Sequence, residues 1–137
     1  MSLVLPSASE ATALNFLLGV TTPGNQILKL FTNNIAPADT DVAATYTEMG
    51  TLGYAAKSLV KGSWVTTAGG TGAVASSAYA QQTWTFSAGV AVTVYGYFVV
   101  DTTTGLLLWS EAFATPKVVQ NAGDQILITP TITLSRV

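Results

Sequence analysis

The stretch VTVYGYFVVDTTTGLLLWSEAF (Val92–Phe113) decides how the rest of the chain is read. Two apolar, β-branched and aromatic runs flank a short polar tip, DTTTG, which is the pattern of a β-hairpin. Its first arm continues from VAV, so that Val90, Val92, Val94, Phe98 and Val100 are expected on one face. Ala91, Thr93, Tyr95, Tyr97 and Val99 fall on the other. Gly96 interrupts the arm and marks a bulge or a close backbone approach. In the second arm Leu107, Trp109, Glu111 and Phe113 alternate onto a common face.

Outward from the hairpin the β pattern persists. AQQTWTF places Gln82, Trp84 and Phe86 on one side of a strand, and QILKLFTNN (Gln26–Asn34) reads as another. KSLVKGSWV predicts a short strand ending at Val65, followed by a Gly-rich loop, TTAGGTGAVASS. IAPADTDVAATYTEMGTLGYA is a long polar excursion that hugs the surface, and ATPKVVQNAGD is a second loop. QILITPTITLS puts Ile126, Ile128, Ile132 and Leu134 inward and Thr129, Thr131 and Thr133 outward. Pro130 cannot donate to a ladder, so that strand belongs at an edge or carries a bulge there. Six or seven strands separated by turn signals predict an all-β fold, an antiparallel β-sandwich of jelly-roll type.

One short helix precedes the strands. In PSASEATALNFLLG, Ser7 and Glu10 have capping-box spacing and Gly19 is placed to end the helix. Leu14, Leu17 and Leu18 form a narrow apolar stripe, and a helix of about three turns needs a surface on which to lay it. The expected organisation is therefore an N-terminal arm with its helix over residues 1–24 and a single sandwich domain over residues 25–137.

Composition limits the chemistry. The 137 residues contain no Cys and no His, which removes thiolate nucleophiles, disulfides, the commonest zinc ligand and the usual general base near neutral pH. Five scattered basic residues and a net charge of −2 argue against nucleic-acid binding. No run is long and apolar enough for a membrane-spanning helix, and the N-terminus lacks the pattern of a signal peptide. Charged residues are 9% of the chain, against about 25% in an ordinary soluble domain. With 21 Thr and ten Ser supplying the polar surface, this balance suits a β protein whose exterior is partly covered by neighbouring subunits.

Catalytic patterns are weak throughout. Asp39, Asp41, Glu48, Asp101, Glu111 and Asp124 are the free carboxylates, and Asp101 and Glu111 flank the hairpin as the one pair suited to acid–base work. Turn capping explains such residues better. Asp39-Thr40-Asp41 lacks the later ligands of a calcium loop, and the Ala68–Gly72 glycines lack the Lys-Ser/Thr of a phosphate loop. Gly62-Ser63-Trp64 is no nucleophile elbow. The reading is a protein without catalytic residues, cofactor or metal. Tyr95, Tyr97 and Trp109, with Leu14 and Leu17 of the helix, are the expected interface residues, since tyrosine offers an apolar body and a polar tip.

Four phrases in order, LKLFTNN before a proline, TEMGTLGYAAKSL, VYGYFVVDTTTGLLLWSEAF and GDQILITPTITLS, resemble small virion proteins of tailed bacteriophages. The resemblance runs from about Gln26 to Ser135 and leaves out the N-terminal helix. It implies a non-enzymatic capsid decoration or cement protein, assembled in the host cytoplasm and located in the virion. Its implied partners are further copies of itself, as a homotrimer or other small ring, and the major capsid protein or other virion proteins. A place in the tail or head–tail neck is the alternative within the same class. From another class comes a carbohydrate-binding module that reads a host glycan through exposed aromatics.

Overall fold

The computed structural model describes residues 4–70 and 74–134. The chain is mostly β, with antiparallel sheets in a sandwich-like arrangement and one short helix. Helix α1 (Ser7–Leu17) is followed by β1 (Gln26–Phe31), β2 (Lys57–Leu59), β3 (Val65–Thr67), β4 (Ala75–Ala78), β5 (Gln82–Thr85), β6 (Val92–Asp101), β7 (Leu107–Val119), β8 (Gln125–Ile128) and β9 (Thr131–Leu134). A four-stranded sheet has the order β2-β1-β6-β7, and it is faced by the β3-β4-β9 and β5-β8 sheets. Among the described residues nine strands stand where six or seven were expected, because breakers divide two of the expected runs and the expected Gly-rich loop contributes β4. KSLVKGSWV turns at Gly62 (φ 85°), so β2 joins the first sheet and β3 the second. QILITPTITLS breaks at the buried Pro130, whose carbonyl accepts from Tyr79 N–H, so β8 pairs with β5 and β9 with β4. The segment read as a Gly-rich loop supplies β3 and β4 at its ends, and residues 71–73 of it lie outside the described residues.

The hairpin is the centre of the molecule. β6 pairs with β1 on one side and β7 on the other, and from Gly96 to Asp101 both of its faces are buried. One face lies in the sandwich core with Leu28, Leu30, Trp84, Val94, Tyr97, Val99, Trp109, Ile126 and Ile128. The other packs Phe98 and Val100 with Phe31, Tyr46 and Leu107. The second cluster is capped by the polar excursion, which brings Ile35, Ala43 and Tyr46 across the outside of the first sheet and sends Met49 into the main core. That segment therefore lies on the surface and closes a second apolar layer at the same time.

Two register shifts correct the simple alternation. Between Val94 and Gly96 the β6–β7 ladder jumps from Lys117 to Ala112, leaving Tyr95 alone opposite Phe113, Ala114, Thr115 and Pro116. The shift puts Val94 on the same side as Tyr97 and Val99, and Tyr95 on the side of Phe98. The bulge also lets Pro116 sit inside a long strand without owing a ladder hydrogen bond. The loop expected over ATPKVVQNAGD is thus mostly strand, with only its last residues turning. The second shift, at Val99/Val100, places Leu107 in the outer cluster and Trp109 in the inner one, so the two do not share a face. Leu134, expected inward, is 72% exposed at the end of β9, while Ile132 of the same strand packs against the core as expected.

The helix departs from its expected start and keeps its expected stop. Pro6 takes the N-cap position and no side chain caps the helix, so Ser7 and Glu10 form no capping box. Ser7 N–H is satisfied by the Asp39 carbonyl at 2.8 Å instead. At the other end Gly19 (φ 69°) donates to Phe16 O and Val20 to Asn15 O, the paired bonds of a Schellman ending.

Gly96 is a steric requirement. A Cβ there would collide with the Glu111 carbonyl oxygen and come within 2.7 Å of the Phe31 ring. Gly96→Ala should cost about 2–3 kcal/mol or more of unfolding free energy, as overpacking of a closed core does. Gly50→Ala, where a Cβ meets nothing within 4 Å, should stay within about 0.5 kcal/mol of the parent. Urea unfolding followed by tryptophan fluorescence measures both.

Candidate functional site

The carboxylates are mostly occupied with holding the chain. Asp101, 1% exposed, sits at the hairpin tip, where Oδ1 accepts from the Thr103 and Thr104 N–H groups and the Thr104 hydroxyl. Its Oδ2 accepts from Gly24 N–H, which ties the tip to the chain leaving the helix. Glu111 Oε2 accepts a hydrogen bond from the Tyr97 hydroxyl. Glu111 lies opposite Tyr97 in the ladder, four β6 residues from Asp101 and so roughly 13 Å along the strand. The pair does not converge on a common cleft. Asp41 Oδ2 accepts from Ala38 N–H and from the Tyr46 hydroxyl, closing the turn that had resembled a calcium loop. Glu48 bonds Lys29 at 2.8 Å and Tyr54 at 3.1 Å. Asp124 accepts from Gln120 and Asn121 N–H, and these bonds hold its carboxyl below the usual range. Among the described residues, no group of three or more His, Cys, Asp or Glu could hold a metal ion.

The aromatic residues expected at an interface divide by burial. Tyr97 and Trp109 are both 4% exposed and belong to the chain's own core. The bulge before Gly96 turns Tyr97 inward onto β8's side of the sandwich, where burial and the Glu111 carboxylate push its hydroxyl pKa strongly upward. Trp109 packs edge-on against Trp64, and its buried indole N–H finds no hydrogen-bond acceptor within bonding geometry among the described residues. Neither ring is available to a partner unless the fold opens. Tyr95 is half-buried against the outer cluster. Trp84 is in the core, as expected, with its N–H donating to the Ala55 carbonyl at 2.8 Å.

Leu14 and Leu17 are placed differently, at 57% and 81% exposed, with Leu18 at 72%. Helix α1 turns its least exposed residues, Ser9, Thr12 and Phe16, towards the body. Ser9 is buried and donates to the Leu107 carbonyl, while Ala13 and Phe16 line a groove of about 400 Å³ between the helix and the sheets. Trp64, Leu108, Trp109 and Ile132 also line it, with Leu134 at the rim, and none of the described lining residues is charged. The spacing Ser9–Ala13–Phe16 was a helical face in the sequence, hidden because leucines elsewhere made a stronger pattern. A second, wider groove of about 610 Å³ runs between the far half of β7 and β8–β9, with Glu111 and Lys117 among its lining residues.

No protein-family model matches the chain, and no curated protein sequence matches it.

The buried tyrosines give the fold an alkaline limit. Burial first, and then the hydrogen bond to Asp41, push the Tyr46 hydroxyl from 10.0 up to about 12. The protonated ring is favoured in the folded chain, so its contribution is complete below pH 10 and is lost as pH climbs towards 12. Urea midpoints measured from pH 8 to pH 12 should fall over that window. Tyr46→Phe should fall less steeply, from a starting stability lower by about 1–2 kcal/mol for the lost bonds to Asp41 and Ser110. A second substitution tests the hairpin tip. Asp101→Ala leaves the Gly24, Thr103 and Thr104 N–H groups without their acceptor and should cost about 2–3 kcal/mol by urea unfolding.

Proposed function

We propose that this chain is a non-enzymatic structural subunit of a tailed-phage virion, most specifically a decoration or cement protein bound in many copies to the head shell. The observation that carries the reading is a contrast on the surface. Five of the seven carboxylates (Asp41, Glu48, Asp101, Glu111 and Asp124) are held in hydrogen bonds within the chain, whereas Leu14, Leu17, Leu18, Val20 and Leu134 stand uncovered in water. A surface arranged in this way favours contact over chemistry. The phrase-level resemblance to small phage virion proteins supplies the setting, and the sandwich-like all-β fold accords with it.

Such a protein acts through repetition. A modest contact between one copy and the shell becomes durable when neighbouring copies also touch, because each further contact forms at high effective concentration. The partners are further copies of the chain and the major capsid protein, with no nucleic acid, membrane or cofactor in the mechanism. The low charge, −2 over 137 residues, limits repulsion between closely spaced copies.

Immunogold labelling of intact particles tests the reading, together with the heat stability of particles from a phage lacking the gene. Gold over the head shell, and genome release at lower temperature without the protein, is the expected result. Gold confined to the tail or neck would overturn the decoration assignment. Particles without label would overturn the virion assignment altogether.

A further inference from the structure

We propose that two copies of this chain pair about a two-fold axis, each laying the leucine stripe of α1 into the groove beside the other's α1. This deepens the reading of the chain as a self-associating subunit and rests on that part of it, but not on the virion assignment.

The helix itself points to the pairing. Its ties to its own body lie at its beginning: the Ser7 N–H bond to Asp39 O, the Ser9 hydroxyl on the Leu107 carbonyl, and the preceding Val4–Ser110 bridge. Beyond Ser9 no helical residue is buried. At 100° per residue, Ser9, Thr12 and Phe16, the buried and half-buried positions, share the side facing the body, the exposed Ala13 lies at its margin, Leu17 comes next to Ala13, and Leu14 and Leu18 follow farther around the cylinder. The leucine stripe thus adjoins the groove that Ala13 and Phe16 line. Knob and hole lie side by side on one face of the molecule.

That adjacency selects the symmetry. A head-to-tail ring would ask two different neighbours to occupy the same face. A two-fold axis lets one neighbour fill the groove and supply the stripe together, which is the reciprocal form of an isologous contact. Charge is consistent with it, since none of the described residues lining the groove is charged and the helix carries only Glu10, in its first turn. Area is consistent too. Leu14, Leu17, Leu18, Val20 and Leu134 together leave on the order of 600 Å² of residue surface in water, spread over the helix, the turn after it and the groove rim. Counted from both copies this is on the order of 1,200 Å², the lower bound of a specific stable interface before the groove walls are added.

Size-exclusion chromatography with light scattering, on the full chain between about 1 and 100 µM, reads the assembly. The wild type should be a dimer, and Leu17→Glu with Leu18→Glu should raise its dissociation constant at least ~100-fold by placing charge in the apolar contact. Leu134→Glu, at the groove rim, should do the same. Val90→Glu, at an 86% exposed position outside the patch, should leave the dimer intact. All four sites are exposed, so circular dichroism unchanged from the wild type will show that the variants are folded, while the urea midpoint of a variant that has lost the dimer should fall to a concentration-independent value. The chain has no native Cys, so Leu17→Cys and Leu134→Cys proteins can be mixed and oxidised, and a mixed disulfide should form between them. A monomeric wild type, a dimer indifferent to the leucine changes, or absence of the mixed disulfide would overturn the pairing. A monomer that still labels particles would sink this inference alone, and a dimer absent from particles would sink only the virion assignment.

Discussion

The Phe31 ring lies over Gly96, and the rest of the architecture depends on that contact. β1 and β6 can pair in register through Gln26–Phe31 only if the β6 residue opposite Phe31 has no side chain. The missing Cβ also lets the Glu111 carbonyl of β7 approach from the other side. Three strands are drawn together at one point, and the bulge beside it rotates the first part of β6 relative to the rest. Without that rotation Val94 would face outward and Tyr97 would lose its neighbours in the sandwich core. A glycine weakens a strand in general, by entropy and lost packing, and here close packing on both sides offsets that loss.

A strand buried on both faces needs two covers, and this explains the long excursion between β1 and β2. One face of the first sheet is closed by the β3-β4-β9 and β5-β8 sheets. The other is closed by a segment with little regular structure, held down by Tyr46 between Phe31 and Phe98. The ring brings its hydroxyl to Asp41 and Ser110, so the polar end of this apolar plug is satisfied as well. The same economy governs the other acids. With few charged residues available, Asp101 and Asp124 fix turns and Glu48 links Lys29 to Tyr54. An exposed pair such as Lys29–Glu48 contributes little by charge alone, so its effect is mainly to order the segment that carries it.

The strand segments were legible in the sequence because β-branched and aromatic residues alternate there, and Gly96 was legible as an irregularity. What alternation could not give was the phase on either side of it. Tyr97 looked like an outward residue because parity was counted through the bulge, and a single extra residue reverses every later assignment. Leu107 and Trp109 were misassigned for the same reason. Pro130 was read as the mark of an edge or a bulge within one strand, whereas it divides two strands, because a missing donor does not say whether the chain rejoins its sheet or crosses to another. The helix shows a different limit. Gly19 ends it through backbone geometry, which local sequence specifies, whereas its start is satisfied by Asp39, twenty and more residues beyond its end. A distant carbonyl leaves no mark in a capping pattern.

The candidate surface was half legible for a related reason. Apolar periodicity identified Leu14 and Leu17 as a stripe seeking cover, and the sequence offered no way to tell whether the cover was the chain's own sandwich or a neighbour. The helix settles onto its body through Ser9, a small polar side chain that fits close to the sheet and finds a carbonyl there. Leucine in that position would hold the helix farther out and leave the Leu107 carbonyl without this donor. The helix turns Phe16 inward beside Ser9 and Thr12 but leaves Leu14, Leu17 and Leu18 outward, a reversal at those three positions of the usual order for a surface helix. The reversal costs hydrophobic stabilisation in the isolated chain, about 1.5–3 kcal/mol for each leucine left unburied. An arrangement that forgoes this much inside one molecule is reconciled with the folding balance when association recovers it between molecules.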